Sequence, residues 1–364
     1  MREYSLERWK MPYLVKVVVA SLAVLCLASR LALVSAFGPQ GVEIEKLTEW
    51  KVTNSSLGGK LLLSDSPEMV TADGILYQDR VTGNIRLFFY HVNATATAKK
   101  VEVLLENQSR ETAHITVSRY SLGGPGGDWM EVGKTALTSY LAGSQAYQLT
   151  VPPGGMVPLS PGISQSPVLP NMLINGIYDF VTDQPLTVTV MMLPVPADSS
   201  EFYKTAQILP ADAVHLRGTF ADANRQIASV HPYDPAENGA VAITLADDKI
   251  DPYLAGIDAT DGTKVVNYGN YGVVYQIVLP SKGKGHTAYY LAPMGGYYAG
   301  AIGITKPNVN WSPLATPLGR LHFGKDITKD FAFLGTYDNG EPLAFTFSPP
   351  GASNLPVKIV FVPQ

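Results

Sequence analysis

Chemistry in water near neutral pH needs particular side chains at short spacings. The six histidines, His91, His114, His215, His231, His286 and His322, are scattered with no His-x-His pair, so spacing offers no transition-metal motif. There is no nucleophilic-serine elbow and no metal-binding His-Glu helix. Carboxylate pairs of the kind that cleave glycosides meet only in three dimensions and stay open. The densest acidic stretch is Asp258-Ala259-Thr260-Asp261-Gly262-Thr263, preceded by Asp247, Asp248 and Asp251. Calcium favours clustered oxygen ligands, so a weak calcium site is one expectation here. The spacing is not that of an EF-hand, and solvated Asp-Gly turns are the commoner reading.

Four tyrosines form the first-choice binding surface. Tyr289-Tyr290 and Tyr297-Tyr298 flank Pro293-Met294-Gly295-Gly296, and in a hairpin one tyrosine of each pair would point outward on the same face. Flat exposed aromatic faces bind sugars or proteins with little entropy loss; cross-strand core packing is the competing reading. Trp129 and Trp311 are weaker candidates. The segment 123–127 (GGPGG) leads into a helix start but carries no lysine of a phosphate loop, so a tight turn is expected there. Asn-x-Ser/Thr sequons occur at Asn54, Asn93, Asn107 and Asn310.

These residues need a scaffold, and the sequence points to strands. Charged residues make up only 16% of the 364, while 33 Gly, 27 Pro and 19 Tyr suit a turn-rich β protein. Short apolar or alternating runs recur between turn signals, among them 85–92 (IRLFFYHV), 101–105 (VEVLL), 114–120 (HITVSRY), 146–151 (AYQLTV) and 186–193 (LTVTVMML). Hairpin turns are expected at Val81-Thr82-Gly83-Asn84 and at Tyr337-Asp338-Asn339-Gly340. The one helical stretch in the first half is 128–141, with Asp128 as cap and Gly143 beyond its end. The pattern breaks at 193–200 (LPVPADSS). The expectation is an all-β chain of two tandem antiparallel Ig-like sandwiches, 37–196 and 197–364, after an N-terminal apolar leader helix.

Residues 1–36 carry Arg2, Arg8, Lys10 and Lys16 ahead of an apolar run, and Val34-Ser35-Ala36 suits cleavage before Phe37. Retention as a membrane anchor is the rival reading, disfavoured by Arg30 inside the run. The leader holds five of the 27 basic and two of the 31 acidic side chains, which leaves the mature chain at about −7 and argues against nucleic acid. Cys26, the sole cysteine, lies in the leader, so the mature core needs no disulfide.

Residues 87–93 (LFFYHVN), 270–276 (NYGVVYQ), 295–301 (GGYYAGA) and 349–357 (PPGASNLPV) resemble secreted β-rich envelope proteins of spore-forming, Firmicutes-type bacteria associated with copper amine oxidase N-terminal-like modules. The resemblance implies an envelope or stalk-like module without oxidase activity. The oxidase itself is excluded by its motifs: Asn267-Tyr268 is followed by Gly269, where the quinone-forming tyrosine needs Asp or Glu next, and the copper His-x-His pair is absent.

The expected function is that of an exported, extracellular or cell-surface protein, non-catalytic, without a cofactor, binding a cell-wall polymer or a surface protein. Membrane contact is expected only through the N-terminal segment. A polysaccharide-active enzyme and a self-assembling surface subunit are the alternatives, the first needing an acidic cleft and the second free sheet edges.

Overall fold

The computed structural model describes residues 42–306, 312–326 and 329–364; the expected leader, Asn310 and Trp311 lie outside them. Glu43–Gln364 is one compact unit built mostly of strands. Among the described residues the strands form three sheets. The five-stranded sheet runs β1 (Thr48–Glu49), β13 (Val241–Leu245), β22 (Val357–Pro363), β17 (His286–Pro293), β20 (Ala332–Asp338). The six-stranded sheet runs β19 (Leu314–Thr316), β18 (Gly300–Thr305), β21 (Ala344–Phe347), β16 (Val274–Val278), β12 (Asn224–Ser229), β2 (Val52–Gly58). The eleven-stranded sheet runs β15 (Lys264–Asn267), β14 (Leu254–Ile257), β11 (Arg217–Phe220), β3 (Lys60–Ser64), β5 (Gly74–Asn93), β10 (Leu173–Pro194), β6 (Lys99–Glu106), β9 (Met156–Pro158). Beside that path, β4 (Met69–Val70) pairs β5, and β7 (Ala113–Gly126) pairs both β10 and β8 (Tyr147–Val151).

The centre of the large sheet is buried on both faces. Ile85, Leu87 and Phe89 of β5 enter one core with Leu62, Ile174, Tyr178 and Phe180. The intervening Phe88, Tyr90 and Val92 enter the other with Leu61, Leu63, Leu173 and Ile177. Alternate side chains of a strand point to opposite faces, so an unbroken apolar run such as 85–92 is what a strand between two cores requires. The first core is closed by β6, β7 and β8 through Val101, Val103, Ile115, Val117 and Val151. The second is closed by the two smaller sheets, through Ile243, Leu291 and Ile359 on one side and Tyr275, Ile277 and Phe345 on the other.

Strand pairing crosses the boundary expected at 196/197: β3 pairs β11, β2 pairs β12 and β1 pairs β13. Buried ion pairs add to the tie. Arg86 is bidentate to Asp179 at 2.7 and 2.9 Å and also donates to the carbonyl oxygens of Ala223 and Gly272. Asp179 in turn accepts from Tyr140. Breaking such a buried pair leaves an uncompensated charge, so each member is needed by the other.

Two expected hairpins are absent. Residues 81–84 lie inside the continuous β5, where the register against β10 shifts between Thr182 and Leu186. Residues 337–340 turn the chain from β20 into β21, which belong to different sheets. The sequons at Asn93 and Asn107 are turn locks. Each buried asparagine accepts from the backbone N–H and hydroxyl of the residue two on, and donates to a carbonyl four on. With both side chains at 0% exposure, neither is a glycan acceptor in the folded protein.

The expected helix is α1 (Trp129–Ala142), capped by Asp128 accepting from the Glu131 N–H at 3.1 Å. Gly123, Gly124 and Gly126 before it belong to β7 rather than to a free loop, and Gly123 lets α1 lie close: a Cβ there would stand 2.4 Å from the Val132 carbonyl oxygen. Gly133 faces Gly351 in the same way, and a Cβ there would stand 2.1 Å from the Gly351 carbonyl oxygen. Gly133→Ala tests this packing, because the two effects oppose each other. Helix propensity favours Ala by about 1 kcal/mol, whereas forcing α1 off a backbone carbonyl costs about 1–3 kcal/mol. A lower urea midpoint is expected; a raised one contradicts the close approach.

Candidate functional site

The four tyrosines do not form a platform. β17 pairs β20 and β22, while β18 pairs β19 and β21, so no hairpin joins them. Both faces of the five-stranded sheet are covered near β17. Tyr289 therefore packs on Phe345 and Phe361, and Tyr290 packs on Phe331 and Phe333. Tyr298 is wholly buried beside Phe323. Tyr297 alone is exposed, with Lys325 over its ring. Stability separates these roles: Tyr289→Ala is expected to cost about 3–5 kcal/mol and Tyr297→Ala less than about 0.5 kcal/mol by denaturant unfolding. Equal small losses would contradict the buried placement.

The acidic stretch divides into two locks. Among the described residues, His215, Asp258 and Asp261 are the histidine and acidic side chains whose ligand atoms converge. Asp258 Oδ2, however, already pairs with His215 Nε2 and with Arg217 Nε, each at 2.7 Å, so a guanidinium stands where a cation would have to. Against the upward push of burial, bonds from Thr260, His215 and Arg217 hold the Asp258 carboxyl below its usual range. Asp251 pairs with Arg225 and accepts from Tyr275 and the Ala246 N–H, while Asp247 accepts from three backbone N–H groups. Turn chemistry and buried arginines account for these carboxylates.

The chemistry converges elsewhere, where β3 ends at Ser64 beside Phe89 of the parallel and longer β5. A cavity of about 330 Å³ opens there, within the range of small-molecule sites. Asp65 and Glu68 come from the turn after β3, Tyr90 from β5, Trp129 and Met130 from the first turn of α1, Tyr271 from the loop before β16, and residues 351–354 from the loop before β22. Trp129, singled out from sequence, lies here, and three of the four resemblance segments contribute through Tyr90, Tyr271 and residues 351–354. Asp65, Glu68, Tyr90 and Tyr271 were not among the candidates. The signal for the carboxylates is local: Leu61-Leu62-Leu63 runs directly into Ser64-Asp65-Ser66-Pro67-Glu68, putting two acids where a fully buried strand ends.

The turn is held firmly. The Asp65 N–H donates to the Leu216 carbonyl, and Glu68 N–H donates to Asp212 Oδ2. Asp212 N–H donates to Ser66 Oγ. His91, wholly buried beneath, donates from Nδ1 to the Pro67 carbonyl and therefore accepts from Ser64 Oγ at Nε2. Burial pushes His91 down to about 4, so it is neutral at pH 7. Tyr271 donates to the Ser353 carbonyl, fixing the opposite wall.

Asp65 is the exception to this pairing. The residue is 9% exposed and its Oδ1 has no hydrogen-bond partner. Burial, then the charges of Glu68 and Asp212, raise its carboxyl well above the ordinary 3.8; burial and Asp212 raise Glu68 likewise. No Lys, Arg or His lines the cavity, and no ion pair among the described residues includes Asp65, Glu68 or Asp212. A second groove of about 480 Å³, at Val278, Thr305 and Ala344, is mostly apolar and gathers no such group.

No family model and no curated relative matches this sequence. Among solved structures, a Paenibacillus xanthan lyase aligns over 90% of this chain with 10% identity and a TM-score of 0.17, and the chain spans 27% of that protein. A Lactobacillus farciminis oxalate decarboxylase in complex with formate aligns over 85% of this chain and 88% of its own, at 9% identity and a TM-score of 0.13. The Bacillus subtilis oxalate decarboxylase aligns over 86% and 77%, at 8% and 0.13. Similarity this slight transfers neither fold nor activity.

The raised carboxyl has a stability consequence with a definite sign. As pH rises past 3.8, the unfolded chain ionises Asp65 freely while the folded chain resists, so the wild type loses stability until its raised value is passed. Asp65→Asn removes that loss. Its melting temperature relative to wild type is expected to climb as pH rises above the ordinary aspartate value of 3.8; a difference independent of pH would contradict the raised carboxyl.

Proposed function

We propose that this is an exported, non-catalytic binding protein of the cell surface, and that the cavity where β3 ends beside β5 is where it holds a group of a cell-wall polymer or surface protein. The observation that carries the reading is Asp65: a buried carboxyl oxygen without a partner, facing a cavity walled by Tyr90, Trp129 and Tyr271. An unpartnered buried polar atom costs about 1–3 kcal/mol, a cost that is recovered when a ligand supplies the missing hydrogen bond. The aromatic walls add rigid apolar area. Export is supported by the basic-then-apolar pattern of residues 1–36. Among the described residues no helix is long and apolar enough to cross a membrane. In this reading the two cores are tandem sandwich layers sharing the β5/β10 wall.

A second reading rests on the acid pair itself. A carboxyl pushed above its usual range by burial is what a general acid for glycoside cleavage needs, and Glu68 stands three residues away. One experiment separates the two. The purified protein is incubated with insoluble cell wall, retention is measured by pull-down, and soluble reducing sugar is assayed in the supernatant. Retention without sugar release, lost in Trp129→Ala with circular dichroism unchanged, is the expected result. Sugar release abolished in Asp65→Asn would favour the enzyme. No retention and no release on any wall preparation would overturn both.

A further inference from the structure

The cavity's electrostatics narrow its ligand, on the premise that it is a binding site at all. Its ionisable lining is acidic only, and the nearby cations are committed elsewhere. Arg217 gives Nε to Asp258 and its remaining N–H groups to Thr260 and the carbonyls of Leu209, Leu76 and Ser66. His91 is neutral, with both ring nitrogens bonded. No arginine or lysine among the described residues lies over the rings of Tyr90, Trp129 or Tyr271. The site thus combines carboxyl groups that repel one another, an oxygen lacking a donor, and an aromatic lining in which Trp129 and Tyr271 are half-buried and Tyr90 is buried.

A neutral ligand satisfies the oxygen and leaves the repulsion. A bare metal ion is disfavoured by geometry, because the ligand atoms of Asp65, Glu68 and Asp212 do not converge as those of His215, Asp258 and Asp261 do. A cavity of about 330 Å³ also has room for a ring-sized molecule. A quaternary ammonium has charge but no N–H to give Asp65 Oδ1. A primary ammonium has both: it donates charge-assisted hydrogen bonds to carboxylates, and its positive charge is attracted to Tyr and Trp faces by roughly 0.5–2 kcal/mol. The flat walls at the same time suit the apolar face of a pyranose ring.

The geometry points to a hexosamine with a free amino group, a sugar unit bearing a primary ammonium, as the group held between Asp65, Glu68 and the aromatic walls. Three β-1,4-linked disaccharides that differ only at C2 make the test: glucosamine, N-acetylglucosamine and glucose dimers, titrated calorimetrically into the full protein at physiological salt, with a short lysine peptide as a fourth arm. The glucosamine dimer is expected to bind at least tenfold more tightly than either neutral dimer. Trp129→Ala is expected to weaken all binding, and Asp65→Asn, with its fold verified by circular dichroism, to erase the preference. Equal affinity for the three dimers would overturn the ammonium inference while leaving the cavity as a sugar site. Tighter binding of the lysine peptide would overturn the sugar and keep the cation. Absence of all binding would overturn the binding site together with the inference.

Discussion

The pairing of β5 with β10 is the constraint on which the rest of the molecule depends. The strands are 20 and 22 residues long, so the pair extends roughly 70 Å at 3.3 Å per residue. It buries apolar side chains on both faces, Leu87 and Phe89 toward one core, Phe88 and Tyr90 toward the other. Every other layer is placed by what it covers. β6, β7 and β8 close one face; α1 and the two smaller sheets close the opposite one. The cavity sits where β3 stops beside β5 and the chain must turn away, bringing Asp65 and Glu68 to its lining beside the first turn of α1.

The molecule treats its buried acids in two ways. Asp179, Asp251 and Asp258 are each met by an arginine and by further donors, so their charge is compensated where it is buried. Asp65, at 9% exposure, receives nothing at its side chain, although the turn that carries it is held by the N–H groups of Asp65 and Glu68. Asp65 leaves a local rule unsatisfied inside a cavity, where a ligand would satisfy it.

Much of this organisation was legible in the sequence, and the failures have physical causes. Strand content and α1 with its Asp128 cap follow from local periodicity and capping, which need only near neighbours. Continuous apolar runs such as 85–92 identify strands but cannot say that both faces are covered by different cores, so a shared wall reads as two separate sandwiches. The same blindness put Tyr289, Tyr290 and Tyr298 on a surface: alternation predicts an exposed face only when one face of the sheet is free, and near β17 neither is. Gly83 and the 337–340 turn carry hairpin signals whose strands find partners elsewhere. Partners far apart in sequence, such as Arg86 with Asp179 or Arg217 with Asp258, leave no local trace, so the acidic stretch around Asp258 looked unpaired. Asp65 and Glu68 were visible as acids after a buried strand, but their isolation from cations exists only in three dimensions.

The central claim is that Asp65 lies buried and uncompensated until a ligand arrives. The most direct measurement is the carboxyl-carbon chemical shift of Asp65 as a function of pH, on uniformly carbon-13-labelled protein assigned with Asp65→Asn, with and without glucosamine dimer. The account predicts a midpoint well above 3.8 in the free protein that moves down when the ammonium binds. A midpoint at the ordinary aspartate value in the free protein would contradict it.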